Sequence, residues 1–496
     1  MSPKKPSLKI NAISNWATLG VNIIVGFVLT PFIISHLDKI GYGIWTLIGS
    51  FIGYYGLLNL GVDSALMRYV ARYAGQGDKK ALNETVSTAM VMFSCTGVLT
   101  IAISFLFAGP LAGLFKVEPE QFNDFIHAVW IIGIATGIGF SGNVFGVVIR
   151  AHERYVVANC ASIATALVRA CLVVFLLLSG MGLIGVAFAT LGSQLCGFVL
   201  NYFLYRHLMS WVHVKLSFAN KKTLKMLMAY GGVTTVIVIA DILRLNIDSA
   251  VIARFVSFDA VAVYGVAALL IRYIIRVVVA GMGVLTPRFS NLEGAGLKQQ
   301  TKWLFMKSLS ISATISFGIA MLVLIFGRNF IIWWVGPEFS EAVLILFILV
   351  VPTAIAVSQG PGIGLMYALK KHHYYAVVSI AEAIANLTLS LILVRKYGIV
   401  GVALGTMISL LIVKIFVMPV YVSKIANVSL FNYIKVLIVP VIIASVIVVA
   451  IRKSALQIMI NDCAIWQQCL CGLCIFTFFV VLNFIIEKYL NIATNE

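Results

Sequence analysis

Charge is scarce in this chain. Aspartate and glutamate together number 18 in 496 residues, all charged residues make up 11%, and apolar residues make up 61%. A water-soluble core of this length needs far more charge on its surface, which excludes that class. A mean hydropathy of +1.03 leaves no soluble domain of useful size. Histidine is rare too, at seven residues. His152, His372 and His373 sit beside arginine or lysine, with too few further ligands for a metal site. The eight cysteines form no disulfide framework. Cys95, Cys160, Cys171 and Cys196 lie in apolar runs, where cysteine acts as a small hydrophobe. Cys469, Cys471 and Cys474 have no histidine or carboxylate nearby. No cofactor and no metal are expected. No nucleophile stands with a base in a triad, and the outer loops near 109–124 and 327–341 are short, which argues against an enzyme.

What the chain has in abundance is long apolar runs. Fourteen reach spanning length, the first at 14–35 and the last at 464–486. Runs of about 20 residues suit helices, not the ten-residue alternation of barrel strands. The fold class expected is an all-α integral membrane protein. The first run is too long for a signal peptide and reads as a spanning helix behind Lys4, Lys5 and Lys9. The net charge of +18 is spread over short loops, as membrane orientation requires, so nucleic acid is not the expected partner; membrane lipid is. A cytoplasmic N-terminus gives the cytoplasmic side most of the loop lysines and arginines, among them Arg68, Arg72, Arg150, Lys221, Arg288 and Lys370. Both termini are therefore expected in the cytoplasm of a multi-pass plasma-membrane protein, the inner membrane of a bacterium.

The chain also repeats itself. MGLIGVAFAT at 181–190 returns as YGIVGVALGT at 397–406, and Arg68 returns as Arg288. Six segments per copy give parallel repeats that can rock about a shared site. The expected organisation is an N-terminal lobe with a cytoplasmic linker over 1–227, a C-terminal lobe over 228–430, and an appended helix pair over 431–496. The linker, 206–227, mixes Trp211, Leu216 and Phe218 with lysines, and reads either as lying on the membrane surface or as a solvated loop. Gly49/Gly53, Gly133/Gly137 and Gly401/Gly405 are small-residue pairs that allow close helix packing.

Ionisable residues at membrane depth cost about 2.5–3.5 kcal/mol each and are functional candidates. Segment 7, 229–252, carries Asp241, Arg244 and Asp248 on one helical face; segment 8, 261–286, carries Arg272 and Arg276 one turn apart. Two readings stay open: an ion-pair network that staples the helices, or a cavity with a cationic wall, where guanidinium forks match phosphate. Arg169, Glu382 and Lys414 are isolated charges in segments 5, 11 and 12, either paired within a lobe or lining a cavity. Asn15, Asn22 and Tyr54, with Tyr55 and Asn59, are neutral polar groups of segments 1 and 2. They either bond neighbouring helices or line a sugar path.

Several stretches carry a resemblance: Gly41-Tyr42-Gly43-Ile44-Trp45, Leu60-Gly61 running on to Arg68-Tyr69, Gly77-Asp78, Trp334-Val335-Gly336-Pro337-Glu338-Phe339, and Tyr397-Gly398-Ile399-Val400-Gly401-Val402-Ala403. In that order and spacing they resemble the polysaccharide-transporter family of Wzx-type oligosaccharide flippases. Its superfamily (MOP) also holds the lipid II flippases and MATE exporters. The resemblance implies a two-lobed bundle with a central cavity walled by segments 1, 2, 7 and 8, which places Arg244, Arg272 and Arg276 at the cationic cavity positions. It implies an anionic substrate, a polyprenyl-diphosphate-linked oligosaccharide, turned from the cytoplasmic to the outer leaflet by alternating access. Coupling to H+ or Na+ and association with polysaccharide-polymerase machinery go with that role. The alternatives are a cation-coupled MATE-like exporter, with Asp241 or Asp248 binding the ion, and a lipid II flippase. The second is disfavoured because segments 1 and 2 lack core arginines.

Overall fold

The computed structural model describes residues 8–59, 61–282, 285–454 and 463–489. Lys4, Lys5, Leu60 and both chain ends lie outside the described residues. The described residues form helices and connecting turns with no strand. In chain order the helices are α1 Leu8–Tyr55, α2 Val62–Gln76, α3 Lys79–Leu114, α4 Pro119–Ala151, α5 Tyr155–Leu178, α6 Gly182–Leu208, α7 Lys221–Phe255 and α8 Phe258–Ala280. They continue as α9 Leu285–Gly294, α10 Lys298–Val335, α11 Glu341–Ser358, α12 Gly360–Ala368, α13 His372–Leu411, α14 Met418–Ala426, α15 Leu430–Lys453 and α16 Ile465–Tyr489. A π-helical segment, Ile412–Val417, joins α13 to α14.

Among the described residues, eleven stretches are long and apolar enough to cross a membrane. Two of them, Ile13–Asn59 at 47 residues and His373–Ala426 at 54, are more than twice the length one crossing needs. Each breaks where the sequence separates two segments. Asp38 leaves the helix at φ 59°, and its carboxylate accepts the Gly41 N–H at 2.8 Å, which restarts the next turn. Gly398 breaks α13 at φ 56°. Eleven such stretches, two of them broken within, make the chain an all-α multi-pass membrane protein.

The repeated motif adopts the same local conformation twice. Gly182 and Gly398 both take a left-handed φ, 53° and 56°, where a side chain is strained. Val186, Ala187, Val402 and Ala403 behind them are fully buried.

Two compact units divide the chain at Ala262/Val263. In the first, α3, α4 and α6 form the central layer, with α1 against α5 and α7 against α1, α2 and α3. Helix α2 is short and amphipathic: Val62, Ala65, Leu66 and Val70 share a buried face, while Arg68 and Arg72 are exposed. That face packs on Leu82, Val86 and Phe93 of α3 and Val144, Val148 and Ile149 of α4. The 206–227 linker is tied to the first unit by hydrogen bonds. His213 N–H bonds Asn83 at 2.9 Å, Lys215 N–H bonds Ser87 at 3.1 Å, and the Asn220 amide bonds Glu84 at 3.0 Å, strapping it to α3.

In the second unit α10 is central, packed by α9, α11, α12, α15 and α16. The last helix docks through polar contacts. Glu487, one residue beyond the apolar stretch visible in sequence, is buried and accepts from Ser310 and from Asn483 at 3.0 Å; Asn483 also donates to Thr314.

Candidate functional site

Helix α7 brings its charges onto one face because positions three and seven apart nearly superpose on a helix. Asp241 and Arg244 form an ion pair at 3.0 Å, both partly exposed. Asp248, two turns along, is buried, and its carboxylate lies within electrostatic range of the Tyr54 hydroxyl on α1. The two helices approach closely here: a Cβ on Gly53 would stand 2.7 Å from the Asn246 amide, which would have to move aside. Within the first unit α1 and α7 thus meet at Gly53 and Asn246, with Tyr54 and Asp248 close enough to interact. The Tyr54 hydroxyl is buried with no hydrogen-bond partner among the described residues.

Other polar groups of α1 divide by role. Asn15 accepts the Asn159 amide of α5 at 2.6 Å, while the same amide bonds Ser14 at 2.8 Å, so Asn15 joins two helices. Asn22 returns its amide to the Thr18 carbonyl of its own helix at 2.8 Å, leaving its carbonyl side available. Tyr55 hydrogen-bonds Ser104 of α3 at 2.5 Å. Arg169 is exposed on α5.

Arg272 and Arg276 sit one turn apart on α8, in the second unit. Arg272 is half-buried and Arg276 is exposed. No ion pair or hydrogen bond among the described residues engages Arg276.

Glu382 and Lys414 are brought together. Their charged groups stand 3.8 Å apart, with side chains only 2% and 4% exposed. Lys414 also lies 5.4 Å from the centre of the Tyr375 ring, a cation–π distance. It belongs to the π-helical segment, where helical hydrogen bonding is displaced by one residue. Its backbone carbonyl instead accepts the Gln359 amide at 2.8 Å, and the Gln359 carbonyl accepts from the Tyr433 hydroxyl at 3.2 Å. The pair is internal to the second unit.

The sequence reading missed one polar centre. The Asp63 carboxylate, at the start of α2, accepts from the Asn59 amide at 2.6 Å and from the Asn143 amide of α4 at 2.8 Å. Arg150 in turn donates to the Asn143 carbonyl at 3.3 Å. Burial raises the Asp63 carboxyl above the ordinary aspartate range, opposed by the Asn59 bond, the Arg150 charge and the Asn143 bond. The sequence signal was present: Asn143 and Arg150 are seven apart, hence on one helical face. Arg150 had been assigned to a loop, but α4 runs on through Ala151.

The model of a family described as polysaccharide biosynthesis protein matches residues 8–293, more than half of the chain. The chain belongs to this family. A Shigella flexneri protein named as an O-antigen transporter is 22% identical over 403 residues, covering 80% of this chain and 93% of its own length. The membrane protein EpsK of Bacillus subtilis is 22% identical over 445 residues, covering 87% of this chain and 86% of its own length. Among solved structures, the lipid II flippase MurJ in an inward closed conformation matches with a TM-score of 0.73 at 12% identity, over 97% of this chain and 99% of that one. An inward-facing multidrug MATE transporter of the MOP superfamily matches with a TM-score of 0.72 at 15% identity, over 84% and 99%. This polysaccharide biosynthesis protein therefore has the fold of MOP-superfamily transporters, as the stretches from Gly41 to Ala403 suggested.

Within that family frame, the charges sort by what they can do. Glu382 and Lys414 form a buried pair, and Asp241 and Arg244 form a partly exposed one. Arg276 is an exposed guanidinium one turn from Arg272 on α8.

Proposed function

We propose that this protein is a flippase. It turns a polyprenyl-diphosphate-linked oligosaccharide from the cytoplasmic to the outer leaflet by alternating access. The family match and the transporter fold support the general role. The observation that carries the substrate class is the Arg272–Arg276 pair on α8, with Arg276 exposed and unengaged by any described residue. Holding an unpaired guanidinium on an apolar span is costly, and a bound diphosphate offsets that cost through forked, charge-assisted hydrogen bonds. Asn22 and Tyr54 offer uncharged hydrogen-bonding groups suited to sugar hydroxyls. The prenyl chain remains in lipid.

Carriage of two uncompensated negative charges outward across 100 mV contributes about 4–5 kcal/mol, at about 2.3 kcal/mol per charge. Co-movement of H+ or Na+ reduces that figure. In the cation-exporter reading Asp241 or Asp248 binds the ion; Asp241 already holds the Arg244 guanidinium at 3.0 Å, which leaves the buried Asp248 as that reading's candidate.

Single replacements of Arg272 and Arg276 by Ala and by Lys test the proposal in cells that depend on this protein for surface polysaccharide. Loss of export with Ala and partial retention with Lys is expected. Normal export by well-folded Ala variants would remove the proposed anion site.

A further inference from the structure

A second cationic site lies away from these residues, where α9 meets the first turns of α10. Arg288, Leu292, Gln299, Gln300, Trp303 and Leu304 line a cleft of about 350 Å³. Its chemistry is divided. Arg288 and the two glutamine amides supply donors at one side, while Leu292, Leu304 and the Trp303 ring supply an apolar floor. Lys298 and Lys302 flank the cleft on α10, and the one nearby acid in sequence is the exposed Glu293 of α9. The balance of charge is positive. Tryptophan and arginine at the end of a spanning helix mark the headgroup depth of a bilayer.

The internal repeat supplies a comparison. Arg68 stands 220 positions before Arg288, on α2, the short helix that follows the second span of the chain. There the exposed guanidinium makes ring contacts within the first unit: it lies 4.6 Å from the centre of the Tyr230 ring and 6.0 Å from that of Tyr69. Arg288 has no ring contact, ion pair or hydrogen bond with any described residue, and it faces the cleft instead. The same repeat position thus carries an arginine held against aromatic rings in one copy and an arginine without a described partner in the other.

We propose that the α9–α10 cleft binds the phosphate headgroup of an anionic membrane phospholipid. Arg288 and the glutamine amides take the phosphate, and Trp303, Leu292 and Leu304 take the glycerol and the upper acyl carbons. The apolar floor beside the donors favours a lipid over free phosphate. Net positive charge favours an anionic lipid over a zwitterionic one.

The test uses the purified full-length protein in detergent, with thermal unfolding followed as phosphatidylglycerol, phosphatidylcholine or inorganic phosphate is added. Phosphatidylglycerol is expected to stabilise the protein at lower concentration than phosphatidylcholine. Arg288→Gln should weaken that response about fivefold, the value of one basic group near an anionic surface. Arg288→Lys should retain most of it, and Arg68→Gln should leave it unchanged. Trp303→Ala supplies an independent loss if Arg288→Gln does not fold. An equal response to the two lipids, or an unaltered response in both Arg288→Gln and Trp303→Ala, would overturn the site. Full stabilisation by inorganic phosphate alone would overturn the lipid assignment. None of these readouts depends on transport, so the site can fail while flippase activity stands, and the reverse.

Discussion

Replacing Lys414 by Met leaves the Glu382 carboxylate buried without its counter-charge. At the observed 3.8 Å separation and an effective dielectric of about 20, the attraction lost is about 4 kcal/mol. Removal of one partner of a buried pair costs about 3–5 kcal/mol, because the remaining charge stays desolvated. The reverse change, Glu382→Gln, should cost about 1 kcal/mol less, since the Lys414 ammonium keeps the Tyr375 ring face at 5.4 Å. The double variant Glu382→Gln/Lys414→Met removes both charges and should lie within about 1 kcal/mol of the parent, as apolar replacement of a whole buried pair often does. The assay is a double-mutant cycle on the purified protein in detergent, read by denaturant titration. A neutral Lys414→Met single variant, or additive single and double effects, would refute the claim that the two charges hold each other.

Other expectations follow from single sites. Burial raises the Asp63 carboxyl, so the folded protein holds that proton more tightly than the unfolded chain. The associated stability is fully present below the ordinary aspartate range, about 3.9, and is lost as pH rises through the raised value. Asp63→Asn should abolish that loss, seen as a flatter melting-temperature profile across the acidic range. Gly398→Val should destabilise by about 1–2 kcal/mol, because the left-handed φ of 56° strains a side chain, and Gly182→Val should do the same; melting temperatures check both. Gly53→Leu drives a side chain into the Asn246 amide and should reduce export as well as stability, while Gly20→Ala, which meets nothing within 4 Å, should be silent in both.

The membrane fold was legible because segment length and apolar content are local properties. Even the breaks at Asp38 and Gly398 fell where one spanning segment ended and the next began. The repeat was visible as MGLIGVAFAT and YGIVGVALGT, and Gly182 and Gly398 share a backbone conformation there. The charged candidates were visible as exceptions in apolar runs, but their partners were not. Glu382 finds Lys414 across 32 positions only because the two spans fold back at Gly398. The Asp63 centre escaped notice because its partner Asn143 is neutral and 80 positions distant. Helices α2 and α9 were hidden because each is too short and too polar to read as a span, and their buried faces need neighbours that sequence order does not reveal.

The most direct test is to deplete this protein in its native cell and measure which leaflet holds the polyprenyl-diphosphate-linked oligosaccharide. A flippase predicts accumulation at the cytoplasmic leaflet and loss of surface polysaccharide, both reversed by the intact protein. Unchanged leaflet distribution with normal surface polysaccharide would contradict it.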